Sequence, residues 1–141
     1  VEYSQTGEFD TGEVIADVGI AIVGETPYAE GVGDNSNPTL DAEDIATITR
    51  LKAVSKKVIV VLVTGRPLFI TRHISSWDAL VVAWLPGSEG GGVADVLFGD
   101  KPFTAKLPLS WPAHLRQLPV GTDGETADGT DLLFPRYFGL D

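Results

Sequence analysis

The chain has 141 residues, of which 43% are hydrophobic, and a formal net charge of −10. This length suits one globular domain with its own core and is too short for two ordinary domains. Nucleic acids and anionic membranes are bound by basic surfaces, so we expect no nucleic-acid and no membrane partner, whereas neutral ligands such as sugars remain open. The absence of cysteine excludes disulfides, thiol catalysis and cysteine-ligated zinc.

Three hydrophobic runs predict strands. The first, residues 17–23, lacks polar alternation and predicts a strand buried on both faces. Residues 58–63 form an unbroken β-branched run, and residues 79–85 form a third run that ends at Pro86-Gly87. The polar residues 1–13 predict an irregular or edge segment.

Two segments between and after these runs predict helices. Residues 41–56 begin with acids that can cap free N–H groups, and residues 90–98 follow a glycine-rich turn. Their inward-facing residues at helical spacing are Ile45, Ile48, Leu51 and Val54 in the first and Val93, Val96 and Leu97 in the second. We further expect a short helix within 71–77, an edge strand at 107–112, and a mobile glycine- and acid-rich loop at 121–131.

Strands that alternate with helices predict an α/β fold with a mainly parallel sheet and helices on both faces, in a flavodoxin-like arrangement. In such a sheet, ligands bind beyond the carboxyl ends of the strands. Residues 24–34, 64–67 and 86–92 are then loops at one edge. The charged side chains that they bring there are Glu25, Glu30, Asp34, Arg66 and Glu89.

Without the help of any known family, the residues favour structural or solvent-exposed roles for these side chains over catalytic ones. Glu25 directly follows a strand, where a carboxylate commonly accepts backbone N–H groups or pairs with an arginine. Arg66 precedes a proline in a tight turn, and we expect its guanidinium to form a fork to a nearby carboxylate such as Glu25 or Glu89. Glu89 opens a helix after a turn that needs small residues. Glu30, between a tyrosine and two glycines, is by itself typical of a solvated loop acid.

Other functional motifs are absent from the sequence. It contains no G-x-G-x-x-G after the first strand, no G-x-x-x-x-G-K-[ST] and no G-x-S-x-G. His73 and His114 are isolated from each other and from any ligand spacing, so we expect neither a metal site nor a cofactor. Trp77, Trp84 and Trp111 could stack on sugar rings, but Trp84 and Trp111 are expected to pack in a core or interface.

Three segments carry a resemblance to a known family. They are Gly24-Glu25-Thr26-Pro27-Tyr28-Ala29-Glu30-Gly31-Val32-Gly33-Asp34, Thr64-Gly65-Arg66-Pro67 and Ala83-Trp84-Leu85-Pro86-Gly87-Ser88-Glu89-Gly90. From about Asp17 to its end, the chain resembles the C-terminal α/β sandwich domain of family 3 glycoside hydrolases, in the exo-β-glucanase and β-glucosidase branch. The resemblance implies that Glu30 is the general acid/base of a retaining β-glucosidase, with Glu25 as the fallback assignment.

The same resemblance implies a longer, two-domain enzyme. The nucleophilic aspartate comes from a barrel domain, and nothing in this chain resembles that barrel. We therefore expect residues 1–141 to be a single domain from a longer protein, inactive by itself, with a β-glucoside or β-glucan oligosaccharide as substrate. A secreted or periplasmic location is also implied, although the chain shows no signal peptide.

Two alternatives from other classes stay open. The first is a non-catalytic carbohydrate-binding or structural module, which the missing nucleophile allows. The second is a small flavodoxin-like protein that binds a phosphorylated ligand at the same edge. The negative charge and the missing phosphate-binding loop count against the second.

Overall fold

The computed structural model describes residues 1–9 and 16–140. Its strands are β1 (Gly19–Gly24), β2 (Val58–Val63) and β3 (Ala79–Trp84), and its helices are α1 (Ala42–Ala53) and α2 (Gly90–Leu97). The strands form one sheet in the order β1-β2-β3. Both neighbouring pairs are parallel, with Ala21 opposite Val60 and Val60 opposite Leu80. The predicted α/β class with a parallel sheet is therefore confirmed.

Helix α1 forms where the sequence predicts it. The side chain of Asp41 caps its start by accepting a hydrogen bond from the backbone N–H of Asp44, with an N···O distance of 2.8 Å. Ile48 and Leu51 are buried on its inner face. The helix ends at Ala53, three residues before the predicted end, and Val54 is its C-cap.

The hydrophobic core lies on the face of the sheet that α1 covers. One cluster joins alternate residues of the strands with the inner side of α1 and with later segments; its buried members are Ala21, Val23, Leu40, Ile48, Leu51, Val58, Val60, Leu62, Leu68, Ile70, Trp77 and Trp111. On the opposite face of β1, Ile22 is 68% exposed. The predicted burial of this strand on both faces is therefore wrong at Ile22. An apolar run predicts that its side chains favour burial. It does not show that a second layer of the fold covers both faces of the strand.

Three local predictions have different outcomes. The short helix expected within 71–77 forms as a 3₁₀ turn at Ile74–Ser76. Helix α2 forms at the predicted place, and its predicted inward residues Val93, Val96 and Leu97 are half-buried. The segment 107–112 does not extend the sheet; Trp111 instead forms an isolated antiparallel bridge with Phe134. Prolines at 108 and 112 lack the N–H groups that a longer ladder needs.

The chain ends show less regular structure. Residues 1–9 form neither helix nor strand, as predicted, and residues 10–13 of the predicted segment lie outside the described residues. The 121–131 loop consists of turns held by Gln117, whose side-chain amide donates to the carbonyl of Asp131 at 2.7 Å. Its mobility stays a prediction. No helix in the described part of the chain is long and apolar enough to cross a membrane.

Candidate active-site loop

The loop of residues 25–34 leaves the sheet through a glycine that no other residue could replace without strain. Gly24 ends β1 with φ +151°, and a Cβ atom there would lie 1.8 Å from the carbonyl oxygen of Val63. The next residue returns to the sheet edge, because the N–H of Glu25 donates to that same carbonyl at 3.0 Å. The N–H of Thr64 donates to the carbonyl of Trp84 at 3.0 Å. The three strand ends are therefore linked, as the topology predicts.

Glu25 forms the ion pair with Arg66 that the sequence analysis expects. Its Oε1 atom accepts from Nε at 2.8 Å and lies 2.6 Å from Nη2, so the guanidinium meets the carboxylate through two nitrogens. Its Oε2 atom accepts from the hydroxyl of Thr64 at 2.7 Å and from that of Tyr28 at 3.1 Å. The Glu25 side chain is only 13% exposed.

These contacts determine the protonation of Glu25. Partial burial by itself raises the pKa of this carboxyl, but the hydrogen bonds from Arg66, Thr64 and Tyr28 outweigh burial and hold the pKa below its usual value. Glu25 is therefore an ionised carboxylate, and both of its oxygens accept hydrogen bonds. Such a group holds structure together and is a poor proton donor at neutral pH.

Glu30 lies in a different environment. It is in a turn closed by hydrogen bonds from Gly33 N–H to Ala29 C=O, at 2.8 Å, and from Asp34 N–H to Gly31 C=O, at 3.2 Å. Its side chain is exposed and makes no hydrogen bond or ion pair with any described residue. A carboxyl in this position can reach a ligand or a facing domain without first breaking a contact.

The other two acids of the edge do not pair with Arg66 within the described residues. The carboxylate of Glu89 accepts from the hydroxyl of Ser88 at 3.0 Å, and Glu89 does not cap α2 with its side chain. The expectation that Glu89 could be the partner of Arg66 is therefore wrong. The hydrogen bond to Glu25 is the main cause of the raised pKa of the Arg66 guanidinium, and Asp34 adds to it only through its charge.

Thr64 and Tyr28 are site residues to which sequence reasoning gave no role. Thr64 is fully buried and follows β2 directly, while Tyr28 stands three residues after Glu25. A polar residue at the end of a buried strand was the available signal for Thr64. The tryptophans behave as expected: Trp111 is buried, donates from Nε1 to the carbonyl of Leu68 at 2.8 Å, and packs against Trp84 at a ring-centroid distance of 6.0 Å.

The fold and this edge define a class, namely an α/β domain with a carboxylate-bearing loop beyond the ends of parallel strands. The chain belongs to the family described as the glycosyl hydrolase family 3 C-terminal domain, whose model matches residues 7–141. It is 41% identical over 107 residues to the periplasmic beta-glucosidase of Salmonella typhimurium, covering 74% of this chain and 14% of that protein. It is 34% identical over 99 residues to the lysosomal beta glucosidase of Dictyostelium discoideum, covering 69% and 12%.

Solved structures agree with this assignment. An exo-1,3/1,4-beta-glucanase from a Pseudoalteromonas species superposes with a TM-score of 0.73 and 38% identity, over 96% of this chain and 22% of that one. A beta-glucosidase from Kluyveromyces marxianus in complex with glucose gives a TM-score of 0.72 and 27% identity, over 88% and 17%. The chain thus spans a small part of the length of the proteins that it matches.

Proposed function

We propose that this domain supplies the general acid/base of a retaining β-glucosidase or exo-β-glucanase, and that Glu30 is the residue that does so. The observation that carries the proposal is the contrast between the two glutamates of the loop. Glu25 is ionised and bound by three side chains, whereas Glu30 is exposed and makes no hydrogen bond or ion pair with the described residues.

The proposed chemistry has two proton transfers at Glu30. In the first step its carboxyl protonates the departing glycosidic oxygen while a nucleophilic carboxylate attacks the anomeric carbon. In the second step the Glu30 carboxylate takes a proton from water, which displaces the enzyme carboxylate from the sugar. The two carboxyls must lie about 5–5.5 Å apart. Arg66 and Thr64 engage the carboxylate of Glu25, so we assign it a structural role.

We assign the nucleophile to an aspartate on a barrel domain outside this chain, as the resemblance to family 3 glycoside hydrolases implies. This assignment makes the isolated chain inactive in hydrolysis. The relatives are named as β-glucosidases of the periplasm and the lysosome, and the solved structures include an exo-1,3/1,4-beta-glucanase. A β-glucoside or β-glucan oligosaccharide is accordingly the proposed substrate, and a secreted or periplasmic location is the proposed compartment.

The test compares Glu30→Gln with Glu25→Gln in the complete protein. Glu30→Gln should lower the hydrolysis of alkyl glucosides by about 10²–10⁴-fold, because a poor leaving group needs a proton. Activated aryl glucosides should still glycosylate the enzyme, and azide should rescue the slow second step because it attacks without losing a proton. Glu25→Gln should mainly lower thermal stability.

Each outcome has a distinct meaning. Azide rescue in Glu25→Gln and its absence in Glu30→Gln would move the acid/base role to Glu25. If neither variant discriminates between aryl and alkyl glucosides, the loop is not the acid/base loop. The non-catalytic carbohydrate-binding or structural module would then be the better account.

A further inference from the structure

The turn that carries Glu30 is held by contacts on either side of it. The Glu30 side chain makes no hydrogen bond or ion pair with the described residues, so its position depends on its neighbours in the loop. Tyr28 comes before the turn and Gly33 closes it. Arg66 contacts both: its Nη1 donates to the carbonyl of Gly33 at 2.7 Å, and its guanidinium carbon lies 4.5 Å from the centroid of the Tyr28 ring.

The same arginine is anchored to the sheet. It stands three residues after Val63, the last residue of β2, and its backbone N–H donates to the hydroxyl of buried Thr64 at 3.2 Å. Its Nε and Nη2 atoms hold the carboxylate of Glu25, the first residue after β1. One guanidinium therefore connects the start of the loop, its closing turn and the end of the neighbouring strand.

The ring of Tyr28 packs directly against backbone. A Cβ atom built on Gly33 would lie 2.4 Å from its Cδ2 atom, and one built on Gly65 would lie 2.7 Å from its hydroxyl oxygen. Because neither glycine has a side chain, the ring and the hydroxyl of Tyr28 can occupy this space. The ring thus fills the gap between the closing turn and the end of β2, with the guanidinium over its face.

We propose that Arg66 is a positioning residue, which places the carboxyl of Glu30 for proton transfer by clamping Tyr28 and Gly33 to the sheet edge. The inference rests on the proposed role of Glu30. The planar fork of arginine is essential to it, because Nε and Nη2 engage Glu25 while Nη1 points to Gly33. A lysine ammonium can keep the charge beside Glu25 but cannot hold both partners in this geometry.

The experiment uses Arg66→Lys in the complete protein, with glucosides whose leaving groups span a range of pKa. A displacement of about 1 Å at a catalytic group can cost about 10²-fold. We expect kcat/KM for alkyl glucosides to fall by about 10–10²-fold, and kcat/KM for activated aryl glucosides to change by less than about 3-fold, because only the former need the proton from Glu30. The matched control is Arg72→Lys, at an exposed arginine that makes no hydrogen bond or ion pair with the described residues, and it should leave kcat/KM for both kinds of glucoside unchanged.

A double-mutant cycle separates this inference from the proposed function. In a Glu30→Gln background, Arg66→Lys should add no further discrimination between leaving groups, because the group that it positions is already lost. Equal losses for aryl and alkyl glucosides, accompanied by a lower melting temperature, would show a purely structural role and overturn the inference. If Glu30→Gln itself lowers the hydrolysis of aryl and alkyl glucosides equally, the proposed function is wrong, and the inference about Arg66 is wrong with it. Discrimination by Glu30→Gln but not by Arg66→Lys refutes the positioning role alone.

Discussion

Replacing Thr64 by valine removes one hydroxyl from the centre of the strand-end contacts and leaves the side-chain shape almost unchanged. The hydroxyl is fully buried and lies 2.7 Å from Oε2 of Glu25 and 2.7 Å from the carbonyl oxygen of Arg66. It has a single proton, and the charged carboxylate is the stronger acceptor of the two. It also accepts from the N–H of Arg66 at 3.2 Å. Thr64→Val therefore removes a donor to a carboxylate and an acceptor for a backbone N–H.

The expected loss follows from these contacts. A hydrogen bond to a charged group contributes about 1.5–3 kcal/mol, and the added methyl group recovers up to about 0.8 kcal/mol. We expect Thr64→Val to lower the free energy of unfolding by about 2 kcal/mol at pH 7. Thr64→Ser keeps the hydroxyl and loses only a buried methyl group, so it should cost about 1 kcal/mol.

The pH dependence of the stability difference between wild type and Thr64→Val gives a second test. Glu25 has a lowered pKa in the folded state, so the stability that it contributes is present above its unfolded pKa and is lost as the pH falls through the folded pKa. Since Thr64 is one cause of that lowering, the difference between wild type and Thr64→Val should stay constant from pH 7 down to the ordinary glutamate pKa of 4.5 and should narrow as the pH falls further, through the lowered pKa. Urea denaturation, followed by the fluorescence of the three tryptophans, measures all three proteins at one concentration. A valine variant as stable as the serine variant, or a difference that is independent of pH, would refute this reasoning.

Two further predictions concern stability and association. Burial, with the nearby charges of Asp41 and Glu43, raises the pKa of Asp44 to about 6, so ionising it opposes folding as the pH rises from about 4 through 6. After a discount for solvent screening, Asp44→Asn should stabilise the chain by about 1 kcal/mol at pH 7.5 and by nothing measurable at pH 4, and equal gains in urea denaturation at both pH values would contradict this. The isolated chain should be unstable or oligomeric because Ile22 leaves an apolar sheet face exposed. Ile22→Lys should shift it toward monomer in size-exclusion chromatography, and a monomeric, cooperative calorimetric melt of the unchanged chain would count against the prediction.

The sequence was sufficient for the elements that depend on local chemistry. The β-branched run at 58–63 and the cap and spacing of 41–56 predicted β2 and α1, because backbone preference and apolar periodicity act within a few residues. Their alternation predicted the parallel sheet, and the sheet placed the loops 24–34 and 64–67 at one edge. From that placement alone, a carboxylate partner for Arg66 could be expected, since a guanidinium near a buried edge is costly without one.

The choice among partners was decided by the tertiary structure. Glu25 and Glu89 were equal candidates in the sequence, yet only Glu25 meets Arg66, because the register of β1 on β2 brings the first residue after one strand beside the turn after the other. Spacing along the chain contains no information on distances between loops about 40 residues apart. For the same reason the exposure of Ile22 and the burial of Thr64 could not be read from the sequence, whereas the exposure of Glu30 agrees with the solvated loop acid that its neighbours predict. Each depends on which segments pack above a residue, and that packing is set by the assembled layers rather than by local preference.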